Sequence, residues 1–219
     1  MRQNLTVQIL MGLPGTGKSS YAMFMRQMNP RVTVITRDVI RCEVLWYSMY
    51  EGNEDKTDLS VFEKHFEELL KECRVPNLDL KIDKEERLAV ERKIRKLNSK
   101  PNPKYNLIIL DGCHTKWECI QRLLKVIRKF KNTYIELIFF GNYESECHHK
   151  LTLKPEGDYT DYKNTFQHTS IPIRVLQRKR EEFKDIFQNH MDELKQMSDN
   201  ITLAGNVILC KDPNKSIDI

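Results

Sequence analysis

The segment Gly12-Leu13-Pro14-Gly15-Thr16-Gly17-Lys18-Ser19 restricts this chain more than any other stretch. It follows the apolar run Val7 to Met11 and leads straight into a helical pattern, so a strand, a glycine-rich turn and a helix come in immediate succession. Few Cβ atoms stand in the way of such a turn, so its backbone N–H groups can converge, and the following helix adds the positive end of its dipole. The result is a cradle for the phosphates of a nucleotide. A turn that merely joins strand to helix is the alternative, and it leaves the complete GxxxxGK[ST] spacing unexplained.

The candidate nucleotide-binding residues are Gly12, Pro14, Gly15, Thr16, Gly17, Lys18, Ser19 and Ser20. Lys18 carries a mobile ammonium for the β- and γ-phosphates of ATP, and the Ser19 hydroxyl is the expected ligand of the Mg2+ that accompanies them. Ser20 is expected to face the α-phosphate.

With 219 residues the chain can bury one sizeable core, and a single domain over 1–219 with a helical elaboration is expected. Hydrophobic residues at 40% and charged residues at 31% argue against a disordered or membrane-embedded chain. No apolar run reaches the length of a membrane span, and Met1-Arg2-Gln3-Asn4 leads into a strand, so a cytoplasmic location is expected. The six cysteines form no CxxC pair and are expected to be reduced. Cys147-His148-His149 lacks the second ligand cluster that a metal site needs. The net charge of +5 is compatible with a polyanionic substrate without requiring one.

Short apolar runs recur at Val7 to Met11, Val32 to Ile35, Leu107 to Leu110, Tyr134 to Phe140 and near Val207 to Cys210, separated by helical stretches. This alternation predicts an α/β fold, a parallel β-sheet of about five strands with helices on both faces. Between about 44 and 100 the pattern departs from it. Val61-Phe62, Phe66 and Leu69-Leu70, then Leu88, Val90, Ile94 and Leu97, fall near helical spacing among many charges, which predicts an insertion of two exposed helices with a solvated charged face. A lid is expected over about 141–170, where the composition turns polar and tyrosine-bearing.

In parallel sheets ligands gather at the carboxyl ends of the strands. After Val32 to Ile35 comes Arg37-Asp38, with Arg41 beyond. Asp38 is the candidate general base, positioned to take a proton from an acceptor hydroxyl near the γ-phosphate, although an aspartate there also suits a helix start. Arg37 and Arg41 are candidate substrate contacts, since a guanidinium matches phosphate oxygens. After Leu107 to Leu110 comes Asp111, the position of a Walker B aspartate and the second candidate Mg2+ ligand. His114, three residues on, is a candidate substrate contact. In the lid, Lys150 is the candidate second catalytic cation beside Lys18, with His149 and Lys154 behind it.

The phosphate loop, Arg37-Asp38 with Arg41, Leu110-Asp111, and Ile171-Pro172-Ile173-Arg174-Val175-Leu176 opening a helix follow one another in the order that resembles the kinase domain of bacteriophage-type polynucleotide 5′-hydroxyl kinases. The resemblance covers Val7 to about Phe183 in outline. It implies a P-loop kinase fold and transfer of the ATP γ-phosphate to the 5′-hydroxyl of DNA or RNA ends. It also implies that Asp38 is the general base, that Arg41 grips the phosphate 3′ of the acceptor nucleotide, and that Lys150 aligns with the family's lid arginine. Gly112-Cys113 stand where the family commonly has a hydroxyl or amide residue, and the stretches 44–100 and 151–169 have no obvious counterpart. A kinase domain without the phosphatase domain of the phage enzyme is expected.

Two alternatives stay open: a related P-loop kinase acting on another alcohol, such as a hydroxymethylated DNA base or a small metabolite, and a nucleotide-binding module without phosphotransfer. A GTPase is disfavoured, because Asn214-Lys215-Ser216 is followed by Ile217 and no NKxD motif occurs.

Overall fold

The computed structural model describes residues 5–49, 77–99, 106–141 and 173–205. Their elements are β1 (Leu5–Gly12), α1 (Lys18–Met28), β2 (Val32–Thr36), α2 (Arg37–Met49), α3 (Leu78–Asn98), β3 (Asn106–Asp111), α4 (Trp117–Ile127), β4 (Thr133–Gly141), α5 (Ile173–Asp185), a π-helical turn (Ile186–His190), α6 (Met191–Met197) and β5 (Asn200–Gly205). The strands form one parallel sheet in the order β2-β3-β1-β4-β5. This is the helix-covered α/β sheet that the alternation of runs predicts.

Each strand feeds both faces, because successive side chains point to opposite sides. From β1, Leu5, Val7, Ile9 and Met11 enter one core and Leu10 the other. The larger core lies under α3, α4, α5 and α6, where Ile94, Leu124, Phe183 and Leu194 are fully buried; the smaller one lies under α1 around Ala22. Burying an aliphatic or aromatic side chain of this size contributes about 1.5–3 kcal/mol. Phe139, Phe183 and Phe187 meet in a triangle of rings with centroids 5.0–5.8 Å apart, which anchors the C-terminal helices to β4.

The charged helix α3 corrects the expected insertion. It is packed rather than exposed: Val90, Ile94 and Leu97 join the larger core, and Ile82 packs against Ile40 and Val44 of α2. Leu88, expected on the apolar stripe, is instead exposed, while Asp83 and Glu86 are buried. The boundary near 44 also falls inside α2, which continues unbroken to Met49. The other expected helix, Val61 to Leu70, lies outside the described residues.

The fifth strand is Asn200–Gly205, upstream of the expected Val207 to Cys210 run, which lies outside the described residues. Among the described residues no helix is long and apolar enough to cross a membrane. The described free cysteines are Cys42, Cys113 and Cys119.

Candidate active site

The carboxyl ends of β1, β2 and β3 form one rim. Gly12 closes β1 with φ 145°, and a Cβ there would overlap the carbonyl oxygen of Phe140 on β4, so only glycine lets the strand turn at this point. The Gly12 N–H donates to the Cys113 carbonyl at 2.9 Å, which ties the phosphate loop to the segment after β3. Helix α1 begins at Lys18, whose buried ammonium donates to the Leu13 carbonyl at 2.5 Å and the Thr16 hydroxyl at 3.2 Å. The loop thus holds its own lysine over its own backbone.

Ser19, on the next step of α1, donates its hydroxyl to Asp111 Oδ1 at 3.1 Å. Asp111 is buried at the end of β3, and burial pushes its carboxyl above the ordinary range. The Ser19 hydrogen bond and the charge of Lys18 pull the other way, and Asp38 adds to the rise, so the two aspartates are within electrostatic reach. Their strands explain this, since Thr36 pairs with Asp111 in the ladder and Asp38 follows two residues later. The Asp38 side chain is 47% exposed and accepts from Arg41 Nη1 at 2.9 Å. An oxygen-only pair of Ser19 hydroxyl and Asp111 carboxylate fits a hard cation such as Mg2+. These two residues would hold it, and it would neutralise charge on the β- and γ-phosphates. Among the described residues no group of three or more His, Cys, Asp or Glu is placed to share a metal ion.

No protein-family model and no curated protein sequence matches the chain. Solved structures do match. A chain of the PezAT chromosomal toxin-antitoxin system of Streptococcus pneumoniae is similar at a TM-score of 0.54 and 13% identity, over 92% of this chain and 69% of that one. A gluconokinase from Sinorhizobium meliloti 1021 is similar at 0.47 and 10% identity, over 93% and 83%. A chain of the Pnkp1/Rnl/Hen1 complex is similar at 0.45 and 17% identity, over 76% of this chain and 45% of that one. At such identities the likeness concerns the fold alone. What is shared is a helix-covered parallel α/β sheet.

Within this fold, Lys18, Ser19, Asp38 and Asp111 gather on one rim with Arg41 at its edge. Two expected substrate contacts are corrected. Arg37 is only 16% exposed, and its guanidinium is committed to two buried carboxylates, Nη2 to Asp83 and Nη1 to Glu86. Burial opposes its charge, yet Glu86 and Asp83 together raise its pKa, so it is a buried ion-pair residue and no free fork for a phosphate. His114 is buried with φ 42°, Nδ1 against the Leu10 carbonyl at 2.7 Å and Nε2 against Glu86 Oε1 at 2.8 Å. Both ring nitrogens are taken, and the ring faces inward. Lys150, with His149 and Lys154, lies outside the described residues, as does the lid over 142–170.

The carboxylates behind these corrections escape a reading of the sequence because α3 looks like a solvated helix. One signal is there: Ile82, Glu86, Val90 and Ile94 recur at every fourth residue, so Glu86 occupies a place in the apolar stripe. Burial alone would raise the Glu86 carboxyl, but His114 and Arg37 outweigh it and hold it below the ordinary range. Asp83 also accepts from the Cys119 thiol at 2.8 Å, and burial with Asp83 pushes that thiol up to about 11, which makes it unreactive. Thr115, buried after the loop, donates to Glu182 of α5 at 2.7 Å.

Proposed function

We propose that this protein is an ATP-dependent kinase that phosphorylates the 5′-hydroxyl of DNA or RNA ends. The observation that carries the phosphotransfer part is Asp38, a half-exposed carboxylate within electrostatic reach of Asp111, which in turn binds the Ser19 hydroxyl at the end of the phosphate loop. A switch module has no need of such a base; a kinase does. In the proposed reaction Asp38 accepts the proton of the acceptor hydroxyl, the oxygen forms a bond to the γ-phosphorus, and the β,γ-bridging P–O bond breaks to release ADP. Lys18 stabilises charge on the transferring group, with Lys150 assigned as the second cation. Arg41, paired with Asp38 at 2.9 Å, binds the phosphate adjacent to the acceptor hydroxyl. The polynucleotide acceptor is supported by the order of motifs, from the phosphate loop through Arg37-Asp38 and Arg41 to Ile171 to Leu176.

A smaller alcohol is the second reading. It is favoured by the commitment of Arg37 and His114 to buried partners, which leaves Arg41 as the one described candidate substrate cation of the original pair. Labelled-phosphate transfer from ATP to 5′-hydroxyl DNA, 5′-hydroxyl RNA, free nucleosides and hydroxymethylated duplexes separates the two. Transfer to oligonucleotide ends supports the first reading. Transfer only to other groups overturns it.

A further inference from the structure

Outside the phosphate loop and the two strand-end aspartates, one of the two buried carboxylates of α3, Glu86, joins residues that flank both aspartates. Glu86 Oε1 meets His114 Nε2 at 2.8 Å while Oε2 binds the guanidinium of Arg37. Each partner is wired to a different part of the rim. Arg37 is the first residue of α2 and immediately precedes Asp38. Its side chain lies against Gly112, where a Cβ would come within 3.0 Å of Arg37 Cβ and 3.0 Å of His114 Cε1, so a larger residue there would press on both side chains. His114 reaches across to the Leu10 carbonyl of β1 at 2.7 Å. The regular β1–β3 pairing stops at Ile9 and Leu110. Beyond that point, the His114 contact, the Gly12 to Cys113 hydrogen bond and the Ser19 to Asp111 hydrogen bond carry the connection between phosphate loop and Asp111.

The Leu10 carbonyl can only accept, so His114 Nδ1 carries a proton there. The orientation of the ring is then set by what Nε2 finds, and it finds Glu86. Glu86 therefore contacts both His114, which joins the Asp111 segment to β1, and Arg37, which directly precedes Asp38.

We propose that Glu86 is a positioning residue for phosphoryl transfer, holding the acceptor-side Asp38 and the metal-side Asp111 in fixed relation through Arg37 and His114. It touches neither nucleotide nor acceptor. The part concerning Asp38 rests on the kinase reading above; the part concerning Asp111 does not. Positioning partners of this kind typically account for roughly 10- to 100-fold in activity or metal affinity when removed.

The test is Glu86→Gln, which keeps the volume and removes the charge, compared with Asp83→Asn. Asp83 is buried on the same helix and binds the same arginine but has no contact with His114. Three quantities are measured: kcat and KM with a 5′-hydroxyl DNA oligonucleotide, the affinity for ATP with and without Mg2+, and the His114 ring N–H resonances of the ligand-free protein. For Glu86→Gln the expected results are a fall in kcat of roughly 10-fold or more, metal-free ATP affinity within about twofold of wild type but a loss of most of the gain from Mg2+, with KM for ATP rising accordingly, and altered His114 resonances. Asp83→Asn is expected to keep the Mg2+ gain and the His114 resonances. Wild-type behaviour of Glu86→Gln in ATP affinity with Mg2+, or an equal loss in Asp83→Asn, overturns the proposal. If Glu86→Gln does not fold, Glu86→Asp, which keeps the charge on a shorter arm, is judged by the same measurements. An oligonucleotide left unphosphorylated by the wild type counts against the polynucleotide reading and leaves the Mg2+ and resonance tests in force.

Discussion

Arg37 and Asp38 are neighbours in the chain with opposite orientations: the guanidinium turns inward onto Asp83 and Glu86, while the carboxylate stays half exposed beside Arg41. The first turn of α2 makes this possible, since consecutive helical side chains diverge by about 100°. One residue secures the turn and the next is left for chemistry.

That division predicts different consequences for the two arginines. Arg37→Ala leaves two buried carboxylates without their cation and is expected to cost about 3–5 kcal/mol, read as a lower denaturant midpoint. Arg41→Ala removes a half-exposed pair, with an expected change below about 1 kcal/mol. Its effect should instead be a raised KM for the acceptor. A large loss of stability in Arg41→Ala, with KM unchanged, would contradict this assignment.

Asp38→Asn keeps the shape of the side chain and removes its basicity. Turnover is expected to drop by roughly 10²-fold or more while ATP affinity stays within about twofold. Steady-state rates paired with nucleotide titration decide the matter. Unchanged turnover would rule out Asp38 as the base.

Asp111 is held above its ordinary carboxyl range by burial, so its proton is retained in the folded chain at pH values where the unfolded chain has released it. Stability from this group is therefore present at low pH and is lost as pH rises through the window above 3.8, its ordinary value. At neutral pH the ionised carboxylate opposes folding of the ligand-free protein. Asp111→Asn should raise its melting temperature and lower turnover by roughly 10-fold or more. Melting curves across pH test the first half: a variant that melts lower than wild type at pH 7 would refute it.

Glu86 has the opposite sign. Its folded value lies below the ordinary 4.5, so its contribution is present above that pH and disappears as pH falls through the folded value. Glu86→Gln should be less stable than wild type at neutral pH, and the gap should narrow below pH 4.5. Urea midpoints for both proteins across this range give the comparison. A gap that stays constant would show that the carboxylate's charge is not what stabilises the cluster.

Gly12→Ala would drive a methyl group into the Phe140 carbonyl at a backbone angle that alanine avoids. A loss of about 1–3 kcal/mol or more is expected, together with weakened ATP binding. Normal stability in this variant would mean that the loop relaxes where the packing says it cannot.

The sequence by itself determined the phosphate loop, four of the five strands and the two strand-end aspartates. Each is a local pattern: glycine spacing before a helix, or an apolar run closed by a polar residue. The period of such runs is set by backbone geometry and needs no distant partner. The role of α3 had to come from the tertiary structure. A helix dense in Lys, Arg and Glu reads as solvated, and nothing within its own stretch reveals that Asp83 and Glu86 face an arginine some fifty positions upstream and a histidine beyond β3. Arg37 and His114 read as substrate contacts for the same reason. A guanidinium or an imidazole near a phosphate site is equally suited to a ligand and to a buried carboxylate, and only packing decides which one it meets.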